Sequence, residues 1–193
     1  MITHLSGKLA EKNPTYVVID CNGVGYFVNI SLHTFSNLPT TEAIKLYTHL
    51  QVREDAHTLY GFSSLAEREI FKLLISVSGI GANTARTMLS SLTPKQVREG
   101  IATEDVALIQ SIKGIGAKTA QRVIIDLKDK ILKIYDIDEV SVKESNTNKD
   151  EALSALEVLG FNKKQADKVL DKLAVAQPDA SVEELIKQAL KKL

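Results

Sequence analysis

From Met1 to about Ser64 the apolar residues fall in short runs rich in β-branched and aromatic side chains. These runs predict strands over Ile2–Ala10, Tyr16–Cys21, Tyr26–Ile30, Ala43–Leu50 and Thr58–Phe62. Asn13-Pro14, Asn22-Gly23 and Leu38-Pro39 separate them as turns. About five short strands in about sixty residues suit a small Greek-key barrel, with the OB-fold the best match.

At Ser64 the pattern becomes helical. Leu65, Ile70, Phe71, Leu74, Ile75 and Val77 make an apolar stripe, opened by a capping-box signature of Ser64 with Glu67. After Gly81 a helix resumes with Ala82, Ala85, Met88, Leu89 and Leu92; Thr93-Pro94 stops it and starts another, Gln96 completing a second box. Thr103 is expected to cap the helix through Val106, Ile109 and Ile112, and a long helix follows from Ala117 to about Ile134. From about Asp136 to Asn148 the chain is polar and acidic, and 144–148 reads as a flexible linker. Three amphipathic helices come last, over Lys149–Leu159, Lys163–Ala174 and Val182–Leu193. Gly160 ends the first, Asn162 with Gln165 caps the second and Ser181 with Glu184 the third. The expected architecture is α+β: a five-stranded barrel over 1–64, an all-helical region over 65–143, the linker, and a three-helix bundle over 149–193.

The helical middle contains a repeat. Ser78-Gly79-Ile80-Gly81-Ala82-Asn83-Thr84-Ala85 and Lys113-Gly114-Ile115-Gly116-Ala117-Lys118-Thr119-Ala120 agree at six of eight positions with an offset of 35 residues. Each Gly-x-Gly joins two helical segments, so the backbone can turn sharply while its amides stay bare. The next helix then starts with unpaired N–H groups at the positive end of its dipole, a place for a phosphate oxygen. Such a helix-hairpin-helix grips a nucleic-acid backbone without reading bases. A single copy reads equally well as a helical hairpin with a glycine cap; duplication favours nucleic acid.

The candidate backbone contacts are Gly79, Ile80, Gly81, Asn83, Thr84 and Arg86 in the first copy, and Gly114, Ile115, Gly116, Lys118, Thr119 and Arg122 in the second. Lys118 and Arg122 are four residues apart on one helix face and could clamp the phosphate that the amides receive. The first copy has Asn83 and Thr87 at those positions, with Arg86 the nearby cation, so the second is expected to bind more strongly.

Charge narrows the mode of binding. With 24 basic and 24 acidic residues the formal net charge is zero, which argues against holding DNA by diffuse attraction. The excess is local and small: residues 65–143 carry 12 Lys/Arg against 10 Asp/Glu. No run approaches a membrane span and no secretory signal opens the chain, so a cytoplasmic protein without membrane contact is expected. The single cysteine, Cys21, reads as a reduced, buried thiol, and the four histidines match no metal signature. Val52-Arg53-Glu54-Asp55-Ala56-His57 forms a charged tip between the last two strands. It is either a solvated loop or, beside DNA, a pair of carboxylates (Glu54 and Asp55) that repels phosphate and splits strands.

No carboxylate cluster or nucleophile with its base is evident, so no catalytic site and no metal site are expected. Gly116-Ala117-Lys118-Thr119 faintly resembles an NTPase phosphate loop, but Ala117 interrupts the Gly-Lys-Thr run and no strand precedes it. A protein adaptor is the other rival. A bundle of under about fifty residues has little core. Leu159, Phe161, Leu170 and Leu173 are therefore either its core or a docking surface for a partner.

Gly23-Val24-Gly25-Tyr26, the Val52–Ala56 tip, Leu59-Tyr60-Gly61-Phe62, the twin hairpins and the tethered helical tail, in this order along the whole chain, resemble the RuvA family of bacterial Holliday junction branch migration proteins. The resemblance implies a homotetramer, single or two facing, that holds a four-way DNA junction open and square-planar. It implies that Glu54 and Asp55 form the family's acidic pin. The tail, UBA-like, would dock the hexameric ATPase RuvB, with the nuclease RuvC resolving the junction; ATP and Mg would be used by the motor, this chain needing no cofactor. The chain departs from the family pattern at Asn83, where lysine is frequent, and at Thr3-His4-Leu5-Ser6, where basic residues are common.

Overall fold

The computed structural model describes residues 1–131, 148–177 and 180–193. The linker expected at 144–148 lies outside them except for Asn148, which already belongs to a helix, and the helix end near Ile134 lies outside them as well. The chain divides into two compact units, Met1–Glu139 and Val140–Leu193.

Five strands, β1 (His4–Asn13), β2 (Tyr16–Cys21), β3 (Val24–Ile30), β4 (Ala43–Val52) and β5 (His57–Phe62), close a barrel in the order β1-β2-β3-β5-β4. All pairings are antiparallel except β3 with β5. Leu5, Val17, Ile19, Val28, Ile30, Ile44, Leu46 and Leu59 point inward, the alternation a half-buried strand requires. β1 pairs with β4 through His4–Lys8 and with β2 from Lys8 onward, and a bulge between Leu9 and Glu11 bends it around the corner. Gly7 permits the close approach there, since a Cβ would lie 2.2 Å from the Asp20 carbonyl oxygen. Cys21 is half-buried rather than buried, because β2 ends there and its thiol reaches out to donate to the Ser6 carbonyl at 3.4 Å.

A short helix unforeseen from the sequence, α1 (Leu32–Ser36), follows β3; Ser31 caps it by accepting from the Thr34 amide. The helical layer of the first unit is α2 (Leu65–Ile75), α3 (Ala82–Ser91), α4 (Pro94–Ala102), α5 (Val106–Gln110) and α6 (Ala117–Ile131). Its core takes in Tyr60 and Phe62 from β5, and the Phe71 ring lies 5.1 Å from Tyr60 and 4.9 Å from Phe62. Barrel and helices thus share apolar packing.

Three expected caps are corrected. Ser64 accepts from the Glu67 amide, but the Glu67 carboxylate turns inward to Ser63 instead of completing the box. Asp105, not Thr103, caps α5 by accepting from the Leu108 amide at 2.9 Å; Thr103 closes α4 instead, its hydroxyl donating to the Glu99 carbonyl. Asn162 accepts from Lys164 without a box from Gln165. The boxes at Thr93/Gln96 and Ser181/Glu184 form.

The second unit holds α7 (Asn148–Val158), α8 (Lys163–Ala176) and α9 (Val182–Leu190). Ala152, Leu156, Ala166, Leu170, Leu173, Ala180, Leu185 and Ala189 form its core. Lys149 ties α7 to α8, its ammonium 2.9 Å from Asp167 and 2.5 Å from Asp171. Among the described residues no helix is long and apolar enough to cross a membrane.

Candidate nucleic-acid interface

The two Gly-x-Gly turns have the same geometry. Gly79 and Gly114 adopt φ of +94° and +91°, a region that side chains other than glycine's make costly. Ile80 and Ile115 then plug the helical core, both buried, and their amides donate to Val77 and Ile112 carbonyls at 3.0 and 3.1 Å. The next helix begins identically in both: Ala85 donates to Gly81 and Ala120 to Gly116, each at 2.9 Å. Gly81 offers α3 no side-chain cap. At all four glycines a Cβ would meet nothing within 4 Å, so the elbows face open space. The isoleucines contribute only main chain to this surface, since their side chains are inside.

Asn83 and Lys118 are exposed, Thr84 and Thr119 half-buried, at matched places on α3 and α6. Arg122 donates through Nη1 to the Ser78 carbonyl at 3.3 Å, linking α6 to the first turn. Arg86 points to the barrel, its Nη1 3.2 Å from the Thr15 carbonyl oxygen and 3.0 Å from Asn29 Oδ1. This anchorage joins residues 71 and 57 positions apart, and no local pattern announces it.

Glu54 and Asp55 are exposed at the centre of a tight turn between β4 and β5, closed by Arg53 donating to the Ala56 carbonyl at 2.9 Å. Asp55 shares a shallow cavity of about 190 Å³ with Asn29, Arg53 and Asn83, so the acidic turn and the first hairpin adjoin. In the second unit Leu170 and Leu173 are buried, which removes both from any docking surface: they sit where α7, α8 and α9 meet. Phe161 packs against the same core, whereas Leu159 is 59% and its neighbour Val158 85% exposed. No sequence signal sets Val158 apart, since it lies on the same helix as core residues. Among the described residues no group of three His, Cys, Asp or Glu could hold a metal.

A closed five-stranded barrel followed by a tandem helix-hairpin-helix layer and a small helical bundle defines a modular nucleic-acid-binding class of protein. Family comparison agrees: the RuvA N terminal domain matches residues 1–61, the SAM-like helix-hairpin-helix tandem residues 71–129 and the RuvA C-terminal domain residues 147–193. Curated relatives named Holliday junction branch migration complex subunit RuvA are 68% identical in Christiangramia forsetii and in Flavobacterium psychrophilum, over 193 residues and the full length of both chains. A third, from Cytophaga hutchinsonii, is 50% identical over 197 residues and 99% of each chain. The chain belongs to the RuvA family.

Proposed function

We propose that this chain binds four-way DNA junctions as a homotetramer, holds them open, and serves as the non-catalytic, DNA-binding subunit of a branch migration complex in recombination and repair. The observation that carries the reading is the pair of matching elbows, their glycines open to solvent, beside an exposed acidic turn. Amides and helix dipoles attract phosphate while the carboxylates repel it, so strands are gripped at the rim and parted at the turn. Gly79, Gly81, Asn83, Thr84, Gly114, Gly116, Lys118, Thr119 and Arg122 would supply the grip. A charge-assisted hydrogen bond contributes about 1.5 to 3 kcal/mol, so several linked copies are needed for tight, shape-selective binding.

The helical tail would dock the ATPase RuvB through the Val158–Leu159 surface, and RuvC would join to cut the junction. ATP and Mg²⁺ belong to that motor in this reading; the chain itself needs no cofactor and acts in the cytoplasm. Titration of four-way junction against linear duplex in a gel shift, with mass measurement of the complex, tests the proposal. Preference for the junction with four or eight chains bound is expected; equal affinity for duplex would overturn it.

A further inference from the structure

We propose that Arg86 is a positioning residue, which fixes the first hairpin against the acidic turn and does not itself grip phosphate. The inference rests on the junction-binding reading above. Arg86 lies on α3, the helix that starts at the first elbow, and its Nη1 is shared between the Thr15 carbonyl and Asn29 Oδ1. Asn29 on β3 is itself oriented, because its Nδ2 donates to the Leu59 carbonyl of β5 at 3.3 Å. β5 is the strand that leaves the acidic turn. A hydrogen-bonded path thus runs from α3 through Arg86 and Asn29 to β5, the strand that follows the turn bearing Glu54 and Asp55, and Asn29, Asp55 and Asn83 line one cavity.

Other ties hold the same joint. The Leu32 amide donates to Ser90 Oγ of α3 at 3.1 Å, and Arg68 of α2 donates to the Thr3 carbonyl at 3.1 Å. Neither touches Asn29. Arg86 therefore sets the angle between elbow and turn where the two approach each other. Both barrel bonds are donated by Nη1, so the barrel fixes where the guanidinium sits. Lys118, exposed on the helix after the second elbow, is under no such constraint.

The test uses the full chain, a four-way junction and a linear duplex, titrated over a series of salt concentrations. Arg86→Lys keeps the charge and loses the planar fork; Asn29→Ala removes an acceptor and no charge; Lys118→Ala serves as the phosphate control. A positioning role predicts that Arg86→Lys and Asn29→Ala each weaken junction binding about tenfold, the loss of a charge-assisted bond. Both should lower the junction-to-duplex ratio and leave the salt slope unchanged, and the double variant should be no worse than either single one. Lys118→Ala should lower the slope by about 0.9 for each phosphate no longer neutralised.

Wild-type affinity and ratio in Arg86→Lys, or unchanged binding in Asn29→Ala, would overturn the proposal. So would thermal destabilisation of the variants with a wild-type ratio, which marks a merely structural role. Should Arg86→Lys fail to fold, Asn29→Ala decides alone. A wild-type chain with no preference for the junction sinks the functional reading first, before any variant is compared.

Discussion

Arg122, on the helix that follows the second elbow, donates to the carbonyl of Ser78 in the first. The two hairpins, copies of one motif, are therefore hydrogen-bonded to each other and present their glycines as a fixed pair. Arg122→Leu should cost junction affinity twice, once through the missing cation and once through the loosened pair. A loss of about tenfold or more is expected in fluorescence anisotropy, with a shallower salt slope.

The elbow glycines separate folding from binding. Gly79→Ala and Gly114→Ala force a side chain into positive φ and should cost about 1 to 2 kcal/mol in urea unfolding. Gly81→Ala has ordinary φ of −84° and open space, so its stability cost should stay under about 1 kcal/mol. All three should weaken junction binding, because each methyl stands where a phosphate would approach. Full binding by Gly81→Ala would remove the first elbow from the interface.

Glu67 is a buried carboxylate surrounded by donors: Ser31 Oγ at 2.6 Å, Thr34 Oγ1 at 2.7 Å, and the amide and hydroxyl of Ser63, both at 3.1 Å. It fastens α2 to the segment after β3. Glu67→Ala leaves those groups unpaired in a dry joint and should destabilise the first unit by roughly 3 kcal/mol, read from chemical denaturation. Glu67→Gln presents a donor to donors and should recover only part of that.

His49 gives the barrel a pH dependence. Burial, then the nearby Lys72 and Arg68 charges, hold its pKa below the ordinary 6.5 against a smaller opposing pull from Glu69. The folded chain is therefore protonated at lower pH than the unfolded one. Stability from this group is complete above pH 6.5 and is lost as pH falls below it toward the folded value. The urea midpoint should decline in that window, and His49→Gln should flatten the decline; a midpoint that rises on acidification would contradict the sign.

In the second unit burial separates two kinds of leucine. Leu170→Ala should cost roughly 2 to 5 kcal/mol in the stability of the bundle. Leu159→Ala, at an exposed position, should leave its melting unchanged and reduce stimulation of RuvB ATPase. Unimpaired stimulation in a Val158→Asp, Leu159→Asp chain would move the docking surface elsewhere.

How much of this was legible in the sequence depended on how local the cause was. β2 has the predicted bounds because turn residues flank it on both sides, and the elbows were readable because their backbone leaves glycine with little competition. Thr103 was expected to cap α5, but Glu104 takes φ of +59°, so the chain reverses before Asp105 and the Asp105 carboxylate caps the helix instead. α1 is a five-residue helix, too short for a period to show. The roles of Arg86, Glu67 and Asn29 depend on partners more than thirty residues away or on another strand, and no spacing rule reaches that far.

The parallel pairing of β3 with β5 sets the order in which the barrel can be finished. On a ribosome the first four strands emerge before β5 does, leaving β3 and β4 with unpaired edges until Phe62 is out. Such edges invite pairing between neighbouring nascent chains. Chains truncated before residue 62 should accumulate as aggregates, while those ending after it already own a sealed sheet.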